Sequence, residues 1–254
     1  MGLAGTGRMP KWLRNVVDLI WPARCAGCGG PVESEGPLCG ACDGRLRELA
    51  AAPRCARCAG PLAQEGDGCP WCRGKGLPHY DCIVTLCVYD EPVRAMIHRM
   101  KYGGAWGLAE HLADLLWERS RTRELLAGAD ALVPVPLHFW RQFRRGYNQA
   151  EVLARRLAHR SGRPCLRAVA RIRHTESQVQ LHSQQARRQN VRGAFALRRS
   201  GSVRDRRIVV IDDLTTTGAT LVEVARALKS GGPAGLCALT VAAADPRGRD
   251  FRAV

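Results

Sequence analysis

The sequence predicts an α/β fold, a parallel sheet with helices on both faces, preceded by a small cysteine-rich module that folds around metal. Three observations predict it. A β-branched run, Ile208 to Ile211, passes through a threonine-rich turn into the helical pattern Leu221 to Lys229, closed by Gly231-Gly232; this is the strand, loop, helix order around a buried parallel strand. From Tyr80 onward, apolar strand runs and helical patterns alternate, as in a sheet wound with helices. Eight of the 12 cysteines form four Cys-x-x-Cys pairs near the start of the chain.

In chain order, Met1 to Pro10 reads as a glycine-rich leader, and Trp12 to Trp21 as an amphipathic helix whose Leu13, Val16, Val17 and Ile20 dock on the body. Residues 1–24 are thus expected to be leader and docking helix, 25–76 the metal module with Arg73-Gly74-Lys75-Gly76 as its linker, and 77–254 the α/β domain. Within that domain we expect strands over Cys82 to Tyr89, Leu132 to Val135, Ile208 to Ile211 and Leu236 to Ala243. Helices are expected over Glu91 to Tyr102, Leu108 to Arg119 and Asn148 to Arg160.

Composition narrows the class. At 254 residues with 46% hydrophobic and 24% charged residues, the chain can bury a full core and is not disordered, collagen-like or coiled-coil. Its longest apolar stretches, such as Ala238 to Ala244, fall short of the roughly 18 residues of a membrane span, and no signal peptide opens it. A cytoplasmic protein without a membrane span is expected. Thiols stay reduced there, so 12 cysteines point to metal rather than disulfides. A net charge of +16 points to an anionic partner.

The paired cysteines are an internal duplication. Cys25/Cys28 and Cys39/Cys42 recur thirty residues later as Cys55/Cys58 and Cys69/Cys72, with ten residues between the pairs each time and Gly30-Pro31 or Gly60-Pro61 after the first pair. Two knuckles of this kind close a four-thiolate cage. A cage without an open position is structural, and its binding free energy, on the order of 10 kcal/mol or more, supplies folding stability to a segment with little core. About two zinc ions, one per repeat, are expected, with pairing across repeats the alternative. Cys82, Cys87, Cys165 and Cys237 do not share this spacing and are assigned no function.

The second signal is Asp212-Asp213-Leu214-Thr215-Thr216-Thr217-Gly218-Ala219-Thr220. A helix N-terminus presents free amides and the positive end of its dipole, threonines add hydroxyls, and Gly218 permits close backbone approach: a phosphate belongs there. Two carboxylates would repel that phosphate, so they face a ribose diol or a Mg²⁺ shared with pyrophosphate.

These residues resemble the phosphoribosyl pyrophosphate signature of type I phosphoribosyltransferases. Lys101-Tyr102-Gly103-Gly104, Pro134-Val135-Pro136-Leu137-His138, Arg144-Arg145-Gly146-Tyr147-Asn148-Gln149-Ala150, Thr175-x-x-Gln178-x-x-Leu181 and Arg187-x-x-Asn190-Val191-x-Gly193-Ala194-Phe195 narrow the resemblance. They are similar to the ComF family, competence-associated proteins with an N-terminal double zinc ribbon. The resemblance implies a type I phosphoribosyltransferase-like domain that binds phosphoribosyl pyrophosphate or a nucleotide with magnesium, acting in DNA uptake or nucleotide salvage. It places the ribose hydroxyls on Asp212 and Asp213 and the 5′-phosphate on Thr216, Thr217, Gly218, Ala219 and Thr220, with Thr215 beside them in the substrate site. It makes Leu137 to Gly146 the pyrophosphate loop, with Arg144 and Arg145 on the leaving group, and Arg171 to Gln185 a mobile lid. Lys101, Gly146, Asn148, Gln149 and Gln178 complete the implied substrate set, and a DNA-uptake helicase or other competence proteins are implied partners.

Charge is concentrated. Between Arg141 and Arg207 the chain carries eighteen arginines against Glu151, Glu176 and Asp205. One small substrate does not require so many, and single-stranded DNA fits such a stretch; a solvated arginine-rich surface explains it equally. Phe139, Trp140, Phe143 and Tyr147 form an aromatic group nearby that serves either base stacking or the core.

Overall fold

A computed structural model of the chain describes residues 24–32, 36–64, 68–173, 184–198 and 200–244. The leader, the docking helix, and Gln178 with most of the expected lid lie outside the described residues.

Four strands form one fully parallel sheet. β1 (Cys82–Val88), β2 (Ala131–Pro134), β5 (Arg207–Thr215) and β6 (Gly235–Ala243) lie in the order β1, β6, β5, β2. Beyond β2, Leu132 bridges to Cys165, and the chain continues into an antiparallel pair, β3 (Val169–Arg171) with β4 (Phe195–Leu197). The central strand is β5, whose Ile208 to Ile211 are all buried. A parallel strand covered on both faces tolerates such a run without alternation.

Helices cover both faces. On one face pack α2 (Val93–Tyr102), α3 (Gly107–Glu118), α4 (Ser120–Ala127) and α6 (Gln149–Ser161), through Met96, Ile97, Met100, Leu112, Leu116, Leu126, Leu153 and Leu157. On the other, α8 (Ala219–Lys229) buries Leu221, Val224, Ala225 and Leu228, the i, i+3, i+4, i+7 stripe of an amphipathic helix. α7 (Gln184–Val191) adjoins α8.

Two differences from the expected elements matter for the site. Strand β5 runs to Thr215, so Asp212 to Thr215 belong to the strand: Asp212 and Thr215 keep register with Thr240 and Ala243 of β6. Leu137 to Gly146 is not simply a loop, because α5 (Phe139–Arg145) forms inside it and ends on the left-handed Gly146, φ 76°. No side chain of α5 is buried, which is why its apolar residues gave no core-facing period.

The cysteine module grips the edge strand β1 from both faces. Cys25, Ala26 and, from α1 (Gly40–Ala51), Leu46, Leu49 and Ala50 join the core under α2 and α3, whereas Ala59 of the second repeat joins the core under α8. The Ile83 amide of β1 donates to the Ala56 carbonyl at 3.3 Å. An edge covered in this way is closed to further strand pairing.

Candidate functional site

Each knuckle turn is held by backbone hydrogen bonds, Cys25 N to Gly30 O at 2.7 Å and Cys55 N to Gly60 O at 2.8 Å. The sulfurs of Cys25, Cys28, Cys39 and Cys42 lie within 4.8 Å of one another, as do those of Cys55, Cys58, Cys69 and Cys72. Ligands therefore gather within each repeat and not across repeats. Four thiolates gathered in each group fill a tetrahedral shell and define structural zinc sites.

The second site lies at the carboxyl ends of β2 and β5. Gly218, at φ 71°, caps the start of α8, and a Cβ added there would stand 2.5 Å from Leu77 Cδ1. The left-handed backbone favours glycine, and any side chain there would have to displace Leu77, the residue after the linker. Thr216, Thr217 and Thr220 are partly exposed around it while Thr215 and Ala219 are buried, and Thr217 Oγ1 accepts from the Ala219 amide at 3.4 Å. A bend of hydroxyls before a helix N-terminus suits an anion.

The two aspartates differ. Asp213 is buried and paired with Lys101 Nζ at 3.1 Å. Lys101 comes from the last turn of α2, so two expected site residues 112 positions apart meet here, and Lys101 is engaged by protein before any ligand arrives. Asp212 is partly buried, and its Oδ1 accepts from the Asp213 amide at 2.9 Å. Burial, then the Asp213 carboxylate, push the Asp212 carboxyl up to about 7, opposed by Lys101 and Arg171. Two neighbouring carboxylates in a poorly solvated place do not readily share full charge.

Around this pair stands a group of cations that the sequence had not singled out. Burial, then Arg141 nearby, lower the Arg171 guanidinium to about 10, while Asp212 draws it up; burial, then Arg145, lower Arg141. Cations held close together out of water raise the affinity for an anion between them. Arg171 also lies over the Phe195 ring at 5.2 Å and lines a cavity of about 320 Å³ with Arg167, Arg198, Gln142 and Phe139. In the sequence Arg141 falls within the implied pyrophosphate loop and Arg171 at the start of the implied lid, and neither is given a contact of its own.

Other expected residues serve the frame. Asn148 caps α6 by accepting from the Ala150 amide at 3.1 Å, and its Nδ2 donates to Val135 O at 3.0 Å, locking the helix to the end of β2. Gln149 is buried, donates to Met100 O at 3.4 Å and accepts from Arg145 at 3.3 Å. Arg145 also lies over the Tyr102 ring at 5.0 Å, whereas Arg144 is exposed at the end of α5. Tyr147 is half-buried with its hydroxyl on Met100 O, while Phe139, Trp140 and Phe143 are 68%, 59% and 73% exposed. The aromatic group therefore divides: Tyr147 belongs to the frame and the other three to the surface.

A parallel sheet whose carboxyl ends carry an acidic pair, a threonine–glycine bend and facing cations, with two four-cysteine sites on its edge, matches two family models. The double zinc ribbon domain covers residues 16–73 and the phosphoribosyl transferase domain covers residues 107–252, so the class is a phosphoribosyltransferase-type domain joined to a double zinc ribbon. Competence protein F of Haemophilus influenzae is 35% identical over 214 residues, which are 82% of this chain and 85% of that relative. DNA utilization protein YhgH of Escherichia coli (strain K12) is 34% identical over 163 residues, 62% of this chain and 70% of its own length. The chain belongs to the competence protein F family. A purine phosphoribosyltransferase from Pyrococcus horikoshii overlaps 68% of this chain and 96% of its own at 16% identity and a TM-score of 0.30. No helix among the described residues is long and apolar enough to cross a membrane.

Proposed function

We propose that the chain binds phosphoribosyl pyrophosphate or a nucleotide at the carboxyl ends of β2 and β5, as a phosphoribosyltransferase-like protein of the cytoplasm acting in DNA uptake or nucleotide salvage. The observation that carries this reading is the junction of β5 and α8, where Asp212 and Asp213 on the strand adjoin the left-handed Gly218 at the helix start. In this reading Thr216 to Thr220 hold the 5′-phosphate and the aspartates accept from the ribose hydroxyls. Arg141 and Arg171, with Arg144 and Arg145 of α5, face the pyrophosphate.

Two adjacent carboxylates are hard oxygen donors that suit Mg²⁺ together with substrate phosphates, and Asp212 is the one not already held by a lysine. Bound there, magnesium would supply charge neutralisation to the pyrophosphate. The protein's own part is to orient the anomeric carbon toward a nitrogen nucleophile, place arginines where charge accumulates on the departing group, and keep water out. Titration calorimetry of the zinc-loaded full chain with phosphoribosyl pyrophosphate and Mg²⁺ tests the reading: saturable binding lost in Asp212→Asn supports it, and absence of heat from intact protein refutes it.

A second reading, single-stranded DNA handling alongside competence partners such as a DNA-uptake helicase, is favoured by the exposed Phe139, Trp140 and Phe143 interleaved with Arg141, Arg144 and Arg145 on α5. Exposed rings stack bases while arginines follow the phosphates. It predicts salt-sensitive retention on single-stranded DNA that weakens in Trp140→Ala and in a variant neutralised at Arg144, Arg145, Arg187 and Arg188; retention indifferent to salt removes it.

A further inference from the structure

Outside the zinc cages and the ligand rim, one pair of nucleophilic side chains has no assigned task. Cys82 opens β1 and Cys237 lies near the start of β6, 155 residues away. The strands are parallel neighbours with Cys82 opposite Cys237 in register. Adjacent strands lie about 4.8 Å apart, within the window of about 4.4–6.8 Å between Cα atoms that a disulfide spans. The two sulfurs are 2.9 Å apart, closer than the 3.8 Å between Cys28 and Cys39 or between Cys55 and Cys72 inside the cages. Both residues are partly exposed, whereas Cys87 on the same strand is fully buried.

We propose that Cys82 and Cys237 form a redox-active dithiol, separate from the zinc ligands, that a hydroperoxide closes to a disulfide. The Cys82 thiolate attacks one peroxide oxygen: an S–O bond forms, the O–O bond breaks, and the released hydroxide takes up the proton Cys82 has lost. The Cys237 sulfur then attacks the sulfenic Cys82, the S–S bond forms, and the S–O bond breaks to release a second water carrying the Cys237 proton. Two thiols and one hydrogen peroxide thus give one disulfide and two waters.

The order of attack follows from the surroundings. The hydrogen bond shared with Cys237 pulls the Cys82 thiol down to about 7 against the effect of burial, with Arg121 helping, and the same contact raises Cys237. Burial pushes Cys87 up to about 12, leaving it inert as an internal control. Bridging adjacent strands must draw the two Cβ atoms from the sheet spacing to about 3.8 Å, so the bond stays open to reduction by thiols. It would join β1, the edge strand held by the second zinc repeat, to β6 at the end of the sheet opposite the ligand rim.

The test treats zinc-loaded full chain with stoichiometric hydrogen peroxide, quenches with an alkylating agent, and maps cysteines by mass spectrometry while metal content is measured in parallel. The expected result is a Cys82–Cys237 crosslink formed before zinc is lost, reversed by dithiothreitol, with Cys87 still a thiol. Cys237→Ser should instead leave Cys82 as a sulfenic acid trapped by dimedone, and Cys82→Ser should slow oxidation at Cys237 by tenfold or more. Wild-type protein in which zinc ligands oxidise first, or in which Cys82 and Cys237 remain separately alkylated at full peroxide consumption, overturns the proposal without need of a variant.

Discussion

The zinc module and the ligand rim are built in opposite ways. Every ligand of a cage comes from one stretch of 18 residues, Cys25 to Cys42 or Cys55 to Cys72, and its geometry is set by local knuckle turns. The rim draws Lys101 from α2, Arg141 from α5, Arg171 from β3 and the aspartates from β5, so it exists only when the sheet has assembled. Local spacing suffices to specify a metal cage. A site gathered across a sheet depends on packing that no short motif records.

The two regions nevertheless touch, and the contacts say how breaking one should affect the other. Arg99 Nη1 donates to Cys25 O at 2.9 Å, two residues before Lys101, and Leu77, the first residue after the linker, occupies the space beside Gly218. The largest effect is expected from the cages. Cys25→Ala or Cys55→Ala should lower zinc from about two to about one per chain, and because the metal's free energy is on the order of 10 kcal/mol, solubility and the cooperative melt should collapse; metal analysis with calorimetric melting checks both.

At the rim, Asp213→Asn should destabilise the fold by about 3–5 kcal/mol in denaturant midpoints, since removing one partner of a buried pair strands the charge of the other, while zinc content stays unchanged. Asp212→Asn separates ligand binding from stability. Asp212 is raised in the folded chain, so its contribution to stability is full below the ordinary carboxylate value and is lost as pH rises through about 7. The asparagine variant should therefore lose ligand yet gain about 1–3 kcal/mol over the parent at pH 8 relative to pH 4, read from denaturant midpoints at the two pH values.

Gly218→Ala should cost about 1–3 kcal/mol, from its left-handed backbone and the clash with Leu77. Adding Leu77→Ala relieves only the clash, so partial recovery in the double variant separates the steric cost at Gly218 from the backbone cost. The smallest effect belongs to Arg99→Ala, expected to weaken ligand binding by roughly threefold to tenfold through Lys101; unchanged affinity would show that the regions are merely adjacent.

The sheet was legible because its residues obey one rule at a time. Ile208 to Ile211 are β-branched and fully buried, and Leu221, Val224, Ala225 and Leu228 keep a helical period. Helix α5 was missed because none of its side chains faces a core, and the carboxylates of Asp212 and Asp213 gave no sign that the strand continues through them. Arg141 and Arg171 were not told apart from the other arginines of their segments, since only the fold decides that Arg171 is brought near Asp212 and Arg141 near Arg171. Asn148 and Gln149 were visible as a motif, but their polar atoms are spent on the backbone of β2 and α2. The Cys82–Cys237 contact, formed across 155 residues, had no sequence signal at all.

The central claim is that the β5–α8 junction grips a sugar phosphate. A crystal of the zinc-loaded chain soaked with phosphoribosyl pyrophosphate and Mg²⁺ tests it most directly. The account predicts the 5′-phosphate within hydrogen-bond distance of the Thr216 to Thr220 backbone, with the ribose hydroxyls on Asp212 and Asp213. Ligand density confined to the Arg167–Arg198 cavity, with the threonine bend empty and Lys101 still closed on Asp213, would contradict it.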